Sequence, residues 1–228
     1  MLDTIRWDAD LIRRYDLSGP RYTSYPTAVQ FHEGIGPFDQ LHALRDSRKA
    51  GHPLSLYVHI PFCANICYYC ACNKVITKDR GRSAPYLARL VREIEIVSRH
   101  LSREQVVEQL HFGGGTPTFL SPGQLRELMS QLRTHLNLLD DDSGDYGIEI
   151  DPREADWSTM GLLRELGFNR VSLGVQDFDM EVQKAVNRMQ TPEETRTIVE
   201  AARTLQYRSI NLDLIYGLPK QTPDSFAR

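Results

Sequence analysis

The chain has 228 residues, enough for one or two domains and for a core that needs no disulfide staple. Its hydrophobic content of 41% and charged content of 25% are those of an ordinary globular protein. With 27 basic against 30 acidic residues the net charge is −3, so bulk electrostatics offer no case for nucleic acid or a membrane surface as partner. From the N-terminus onward, residues 1–7 lack the basic stretch and apolar core of an export signal, and no apolar run approaches the ~18 residues of a membrane span. Free thiols without a signal or a span read as a cytoplasmic chain.

Residues 1–54 read as an extension ahead of the main domain. Asp8 to Tyr15 predicts a short helix, ended by Ser18-Gly19-Pro20. Arg21 to Thr27 is polar and aromatic with prolines at both flanks, which favours extended chain and, on these residues alone, a surface linker. Ser55 to Ile60 is a β-rich strand running straight into a loop of cysteines. Ser83-Ala84-Pro85 predicts a serine-capped helix whose stripe is Leu87, Leu90, Val91, Ile94, Val97 and Leu101. A second strand over 109–112 feeds Gly113-Gly114-Gly115-Thr116-Pro117, and Ser121-Pro122-Gly123-Gln124 predicts a capping box opening the next helix. A third strand over 146–150, a helix over 157–166 stopped by Gly167, and a fourth strand over 170–175 follow. Thr191-Pro192-Glu193-Glu194 opens another helix, a fifth strand is expected over 210–216, and Thr222-Pro223 caps a last helix. Five alternations of strand and helix predict an α/β fold, a parallel sheet curled as a partial barrel. A chain stopping at Arg228 reads as cut inside its barrel, after the fifth strand, with the 55–228 domain incomplete and a C-terminal domain absent.

All four cysteines, Cys63, Cys67, Cys70 and Cys72, lie within ten consecutive positions just after the first strand's end. A disulfide staple is a poor reading for a chain of this size, and structural zinc usually draws two separated ligand pairs. A compact loop of thiolates suits iron–sulfur chemistry. In an α/β barrel the site lies where strands end, and other unusual residues sit there. The triple glycine lets backbone approach closely but is no Walker loop. Glu149 and Asp151 share a face, which raises a paired-acid hydrolase, a reading that leaves the cysteines without a role. Gln176 and Asp177 end the fourth strand, the fifth carries Asp213, and Arg188 rides on a small amphipathic helix with Val182, Ala185, Val186 and Met189. Such an arginine is either a solvated charge or a fork facing a carboxylate. His59 and His111 read as satisfied strand histidines. Cys72 stays open as an additional ligand, a catalytic thiol or a small buried hydrophobe.

The C-x3-C-x2-C spacing of Cys63, Cys67 and Cys70, with Tyr69 before the third, resembles the signature of the radical S-adenosylmethionine (SAM) superfamily. That resemblance implies three thiolates on a [4Fe–4S] cluster whose fourth iron is open to SAM, cradled by the glycine run. More narrowly, the segments 18–27, 57–63, 70–74, 112–118, 149–154, 174–178 and 213–219 resemble, in order, the oxygen-independent coproporphyrinogen III oxidase family. The pair Cys70 and Cys72 separates it from haem-chaperone relatives, which typically lack the last cysteine.

The resemblance implies two SAM molecules, one met by Tyr57, Gly114 and Glu149, the other by Tyr69, Gly115, Thr116, Gln176, Arg188 and Asp213. It turns the 18–27 linker into a segment closing over substrate, with Arg21 as a candidate for its carboxylates. Tyr57 and Cys72 are the catalytic candidates. The implied reaction converts two propionates of coproporphyrinogen III to vinyls, giving protoporphyrinogen IX. An electron cleaves SAM to a 5′-deoxyadenosyl radical, which takes a propionate β-hydrogen before carbon dioxide leaves. An electron donor and acceptor are then required, no nucleic acid or membrane, and a monomer is expected. The rivals are a haem chaperone on the same fold and a catalytically inactive fragment.

Overall fold

The computed structural model describes residues 7–17 and 27–227. The chain divides into two compact units, Met1–Ala43 and Leu44–Arg228. In the first, α1 (Ala9–Tyr15) begins where the Asp8 carboxylate accepts the amides of Asp10 at 3.1 Å and Leu11 at 2.9 Å. A second helix, α2 (Pro37–Ala50), was not expected from the sequence, because it carries no apolar stripe and buries none of its residues.

The second unit is a sheet built strand by strand. It holds β1 (Leu54–Ile60), a short β2 (Phe62–Cys63) pairing with β3 (Val75–Ile76), and the crossover helix α3 (Ser83–Ser98). Then follow β4 (Val106–Gly114), α4 (Pro122–His135), a two-residue β5 (Asn137–Leu138), β6 (Asp145–Ile150) and α5 (Trp157–Glu165). The chain continues through β7 (Arg170–Gln176), α6 (Met180–Ala185), α7 (Pro192–Thr204), β8 (Ser209–Leu214) and α8 (Pro223–Phe226). The main strands lie in sequence order, β1-β4-β6-β7-β8, and every pairing is parallel. Parallel neighbours joined by helical crossovers give the expected α/β architecture.

Alternation along the strands separates two faces. Toward the helices point Val107 and, past the register slip at Glu108, Leu110 and Phe112 of β4, Tyr146, Ile148 and Ile150 of β6, and Val171, Leu173 and Val175 of β7, all buried. Leu125, Leu128, Met129 and Leu132 of α4, Met160 and Leu163 of α5, and Ile198, Ala201 and Ala202 of α7 fill the layer against them. Phe112 meets Phe168 edge-on at 5.0 Å. The opposite face of β7 carries Ser172, Gly174 and Gln176, which leaves polar and small residues on the side away from the helices.

Both expected capping boxes form, at Ser121 and Thr191, and the cap expected at Thr222 is itself a box, closed by Ser225. The serine cap expected at Ser83 does not. A 3-10 turn over Arg80–Arg82 runs straight into α3, and the Ser83 hydroxyl donates instead to Arg80 O at 2.7 Å. β4 is longer than its apolar run suggests, because β1 pairs with it from Val107 to Gly114. β8 stops at Leu214 rather than 216, where the Ile215 amide turns to Gln176 O at 2.9 Å. No helix among the described residues is long and apolar enough to cross a membrane.

Candidate functional site

The C-terminal ends of the parallel strands surround a cavity of about 240 Å3. Its lining contains Cys63, Cys67, Cys70, Cys72 and Tyr69 from the loop after β1, and Gly114, Gly115 and Thr116 after β4. Glu149 and Asp151 reach it from β6, Gln176 from β7, Arg188 from the turn after α6, and Asp213 from β8. Residues separated by up to 150 positions therefore meet at one place. Tyr57 is not in the lining but stands beside it, stacked on His111 with ring centroids 5.9 Å apart and planes 12° apart. Arg21 lies outside the described residues, as does most of the 18–27 segment.

The cysteine loop is held from three sides. Val75 N donates to Pro61 O at 2.7 Å and Thr77 N to Cys63 O at 2.9 Å, closing β2 on β3. Lys74 Nζ donates to Cys70 O at 2.7 Å and to Cys72 O at 3.4 Å. From the far side, Tyr68 N donates to Val186 O at 3.0 Å and Asn187 Nδ2 to Ile66 O at 2.7 Å. Tyr69 packs against Val182, Val186 and Leu218.

The glycines serve this packing directly. A Cβ on Gly115 would lie 2.6 Å from Phe62 O and 2.8 Å from Pro61 O, both backbone. Gly114 sits at φ +115°, and a Cβ there would strike the His59 ring at 2.7 Å. The close approach is thus between the β4 end and the chain leading into the cysteines, and it sets the Thr116 hydroxyl 3.6 Å from Cys63 Sγ.

Glu149 accepts the Gly114 amide at 3.1 Å through one oxygen and faces His111 Nε2 at 3.3 Å through the other. Tyr57 Oη is 3.1 Å from His59 Nδ1, and His59 Nε2 is 2.9 Å from Asn73 O, so the hydroxyl donates to Nδ1 and Nε2–H to the carbonyl. Both histidines, expected as strand residues without a further role, link the sheet to the site. Gln176 takes φ +70° at a register slip between β7 and β8, and Asp213 accepts the Ser172 hydroxyl at 2.8 Å. Asp177 is satisfied within the protein, by the Asp179 amide at 2.6 Å and by Gln221.

The group that sequence reasoning passed over is Arg153. It forks onto Asp151, with Nε 2.9 Å from Oδ1 and Nη2 2.6 Å from Oδ2, while Arg188 Nη1 reaches Oδ2 at 3.1 Å. Burial pushes the Asp151 carboxyl up, but the Arg153 hydrogen bond and the Arg188 charge outweigh it and hold it below the usual carboxylate range. Burial raises the Cys63 thiol, with the Thr116 hydrogen bond opposing, and raises Cys72, with Cys70 adding to it. Burial likewise raises the Tyr57 and Tyr69 phenols. The signal that could have found Arg153 is its place two residues beyond Asp151 at a strand end.

The donor set suits a thiolate-bound cluster. Four thiols line one cavity without converging on a point, and among the described residues no three His, Cys, Asp or Glu side chains gather as a single-ion site. Two guanidiniums approach the sulfur of Cys67, a match for anionic thiolate. Arg188 Nε is buried with no hydrogen-bond partner in the protein, a donor left over for something else.

A family described as the Radical SAM superfamily matches residues 57–228. The oxygen-independent coproporphyrinogen III oxidase of Escherichia coli strain K12 is 50% identical over 98% of this chain and 48% of its own length. That of Salmonella typhimurium is 48% identical over 98% and 48%. A solved coproporphyrinogen III oxidase from Escherichia coli, described as a radical SAM enzyme, superposes with a TM-score of 0.87 at 45% identity, covering 97% of this chain and 48% of that one. The chain spans about half the length of the curated relatives it matches.

Proposed function

The chain belongs to the Radical SAM superfamily, a membership that implies a [4Fe–4S] cluster and SAM as cofactors, and on that footing we propose that its protein oxidatively decarboxylates coproporphyrinogen III. The reading is carried by one observation: Cys63, Cys67 and Cys70 share a cavity with the glycine run, Glu149, Gln176, Arg188 and Asp213 at the strand ends. The similarity to coproporphyrinogen III oxidases along nearly the whole chain supplies the substrate.

Cys63, Cys67 and Cys70 would hold the cluster, leaving Cys72, the most exposed of the four, free as a catalytic thiol. Bound there, the cluster and SAM supply a carbon-centred radical able to take hydrogen from an unactivated propionate carbon. The chain's own residues bind and shield. Glu149 has its position fixed by the Gly114 amide and His111, and its carboxylate suits the ammonium of a SAM molecule beside Tyr57. We assign a second SAM to Tyr69, Gly115, Thr116, Gln176, Arg188 and Asp213, where the unpartnered Arg188 Nε suits a carboxylate and Asp213 a hydroxyl or ammonium. Tyr57 stacks the site's edge and donates a hydrogen bond from its hydroxyl to His59, which orients the end of the cysteine loop through Asn73.

Arg21 and residues 1–54 complete the proposal as a substrate-covering extension of the 55–228 barrel domain. One electron donor, one acceptor, a monomeric state and a reducing, cytoplasmic setting complete the assignment.

The test is anaerobic reconstitution with iron and sulfide, then reduction with SAM present and assay of 5′-deoxyadenosine, followed by addition of coproporphyrinogen III and analysis for protoporphyrinogen IX. We expect a four-iron spectrum, SAM cleavage, and loss of both on Cys67→Ala. Purified protein holding one zinc and no iron would overturn the reading.

A further inference from the structure

Among the described residues, Cys67 is the one cysteine whose sulfur receives hydrogen bonds from charged side chains. Arg188 Nη1 lies 3.5 Å from it and Arg153 Nη2 4.0 Å. Both guanidiniums are wedged by Asp151, which accepts from Arg153 Nε, Arg153 Nη2, Arg188 Nη1 and the Arg153 backbone amide at 3.1 Å. The Arg188 and Asp151 side chains are each only 9% exposed and that of Arg153 19%. Arg188 is tied further through Nη2 to Gly174 O at 2.5 Å. Two positive groups and one negative one leave a net single positive charge against one thiolate, in a place where water screens little.

We propose that the Asp151–Arg153–Arg188 triad sets the reduction potential of the bound cluster through Cys67, with Arg153 as its fixed positioning residue. This rests on the iron–sulfur reading above and goes beyond it. Reduction adds one electron, taken from an external one-electron donor, to the cluster core, which passes from the 2+ to the 1+ state. The added negative charge spreads onto the sulfurs, so N–H donors and positive charge at Cys67 favour the reduced form and raise the potential. Arg153 is the steadier contributor. Its fork is committed to Asp151, whereas Arg188 keeps a buried Nε without a partner and can serve a ligand as well.

The experiment is a redox titration of the anaerobically reconstituted protein without SAM, followed by electron paramagnetic resonance of the reduced cluster, with iron and sulfide measured on each sample. Arg153→Gln removes a charge and a donor, and lowers the one-electron reduction equilibrium by about tenfold, a shift of 59 mV to more negative potential. Asp151→Asn removes the opposing charge and shifts the potential the other way. Loosened packing alone would move both variants in one direction, so the opposite signs identify the charge effect. Should Arg153→Gln not retain a full cluster, Arg153→Lys carries the same test, with a smaller negative shift because the charge stays and the fork is lost. Equal potentials in wild type and variants at full iron content would overturn the triad's role and leave the iron–sulfur reading standing. A wild-type protein that takes up no cluster would overturn both.

Discussion

Replacing Gly115 by Ala puts a methyl group where the protein has only backbone. The three nearest atoms would be Phe62 O at 2.6 Å and Pro61 C and O at 2.8 Å, and none belongs to a side chain that can rotate away. The Gly115 amide is also bonded to Ile60 O at 2.8 Å and the Thr116 amide to Phe62 O at 2.8 Å, so the two backbones must part against their own hydrogen bonds. Overpacking of this kind costs about 1–3 kcal/mol, and an all-backbone clash belongs at the upper end, about 3 kcal/mol. For a chain of this size that corresponds to a drop in Tm of roughly 6–12 °C. The control is Gly161→Ala in α5, where an added Cβ meets nothing within 4 Å. There, removing a helix glycine stabilises by about 0.5–1 kcal/mol. Urea denaturation followed by circular dichroism measures both, and a reconstituted Gly115→Ala sample should also hold less iron, since Thr116 moves away from Cys63. A Gly115→Ala variant within about 0.5 kcal/mol of the parent would refute the backbone-contact reasoning, because surface-like tolerance is incompatible with it.

The remaining predictions concern the sheet and its helices. Phe112 of β4 is fully buried against Phe168, so Phe112→Ala should cost about 3–5 kcal/mol in the same denaturation assay. Asp156 caps α5, and the Thr159 amide, with the Thr159 and Ser158 hydroxyls, depresses its carboxyl below the usual value. Its contribution to stability is therefore complete above the ordinary carboxylate pKa of about 3.9 and is lost as pH falls through the lower folded value. Asp156→Asn keeps a good cap at neutral pH and should flatten that acid limb of the stability profile, whereas Asp156→Ala should cost about 1 kcal/mol at pH 7.

The rhythm of strand and helix was legible because it is written locally. Two capping boxes begin where their serine or threonine and acidic or amide partner stand, and the buried positions of α4 and α7 follow helical spacing. The cysteine loop was equally plain, since its spacing is contiguous. α2 was illegible because a helix that buries nothing leaves no apolar period to read. Ser83 misled because its hydroxyl is used by Arg80 O and by Gln124, a partner 41 residues away. The grouping of Arg153, Arg188 and Cys67 is invisible for the same reason: it exists only after β6 and the turn following α6 have been brought to the first loop. Residues that take their meaning from a distant partner show no local pattern.

The clamp on the cysteine loop joins residues made far apart in time. Asn187 and Arg188 hold Ile66 and Cys67 across 121 positions of chain. At synthesis rates of about 5–20 residues per second, roughly 6–24 s separate the emergence of the two sides. During that interval Cys67 lacks its arginine donors and the loop lacks the backbone tie to Val186. A nascent loop of this kind is an open set of soft ligands, accessible to adventitious metal and to oxidants alike. Its protection comes late, from the strand-and-helix units that follow. Expression conditions that slow elongation between residues 72 and 188 should therefore lower the yield of intact thiols, although the folded protein would be unchanged.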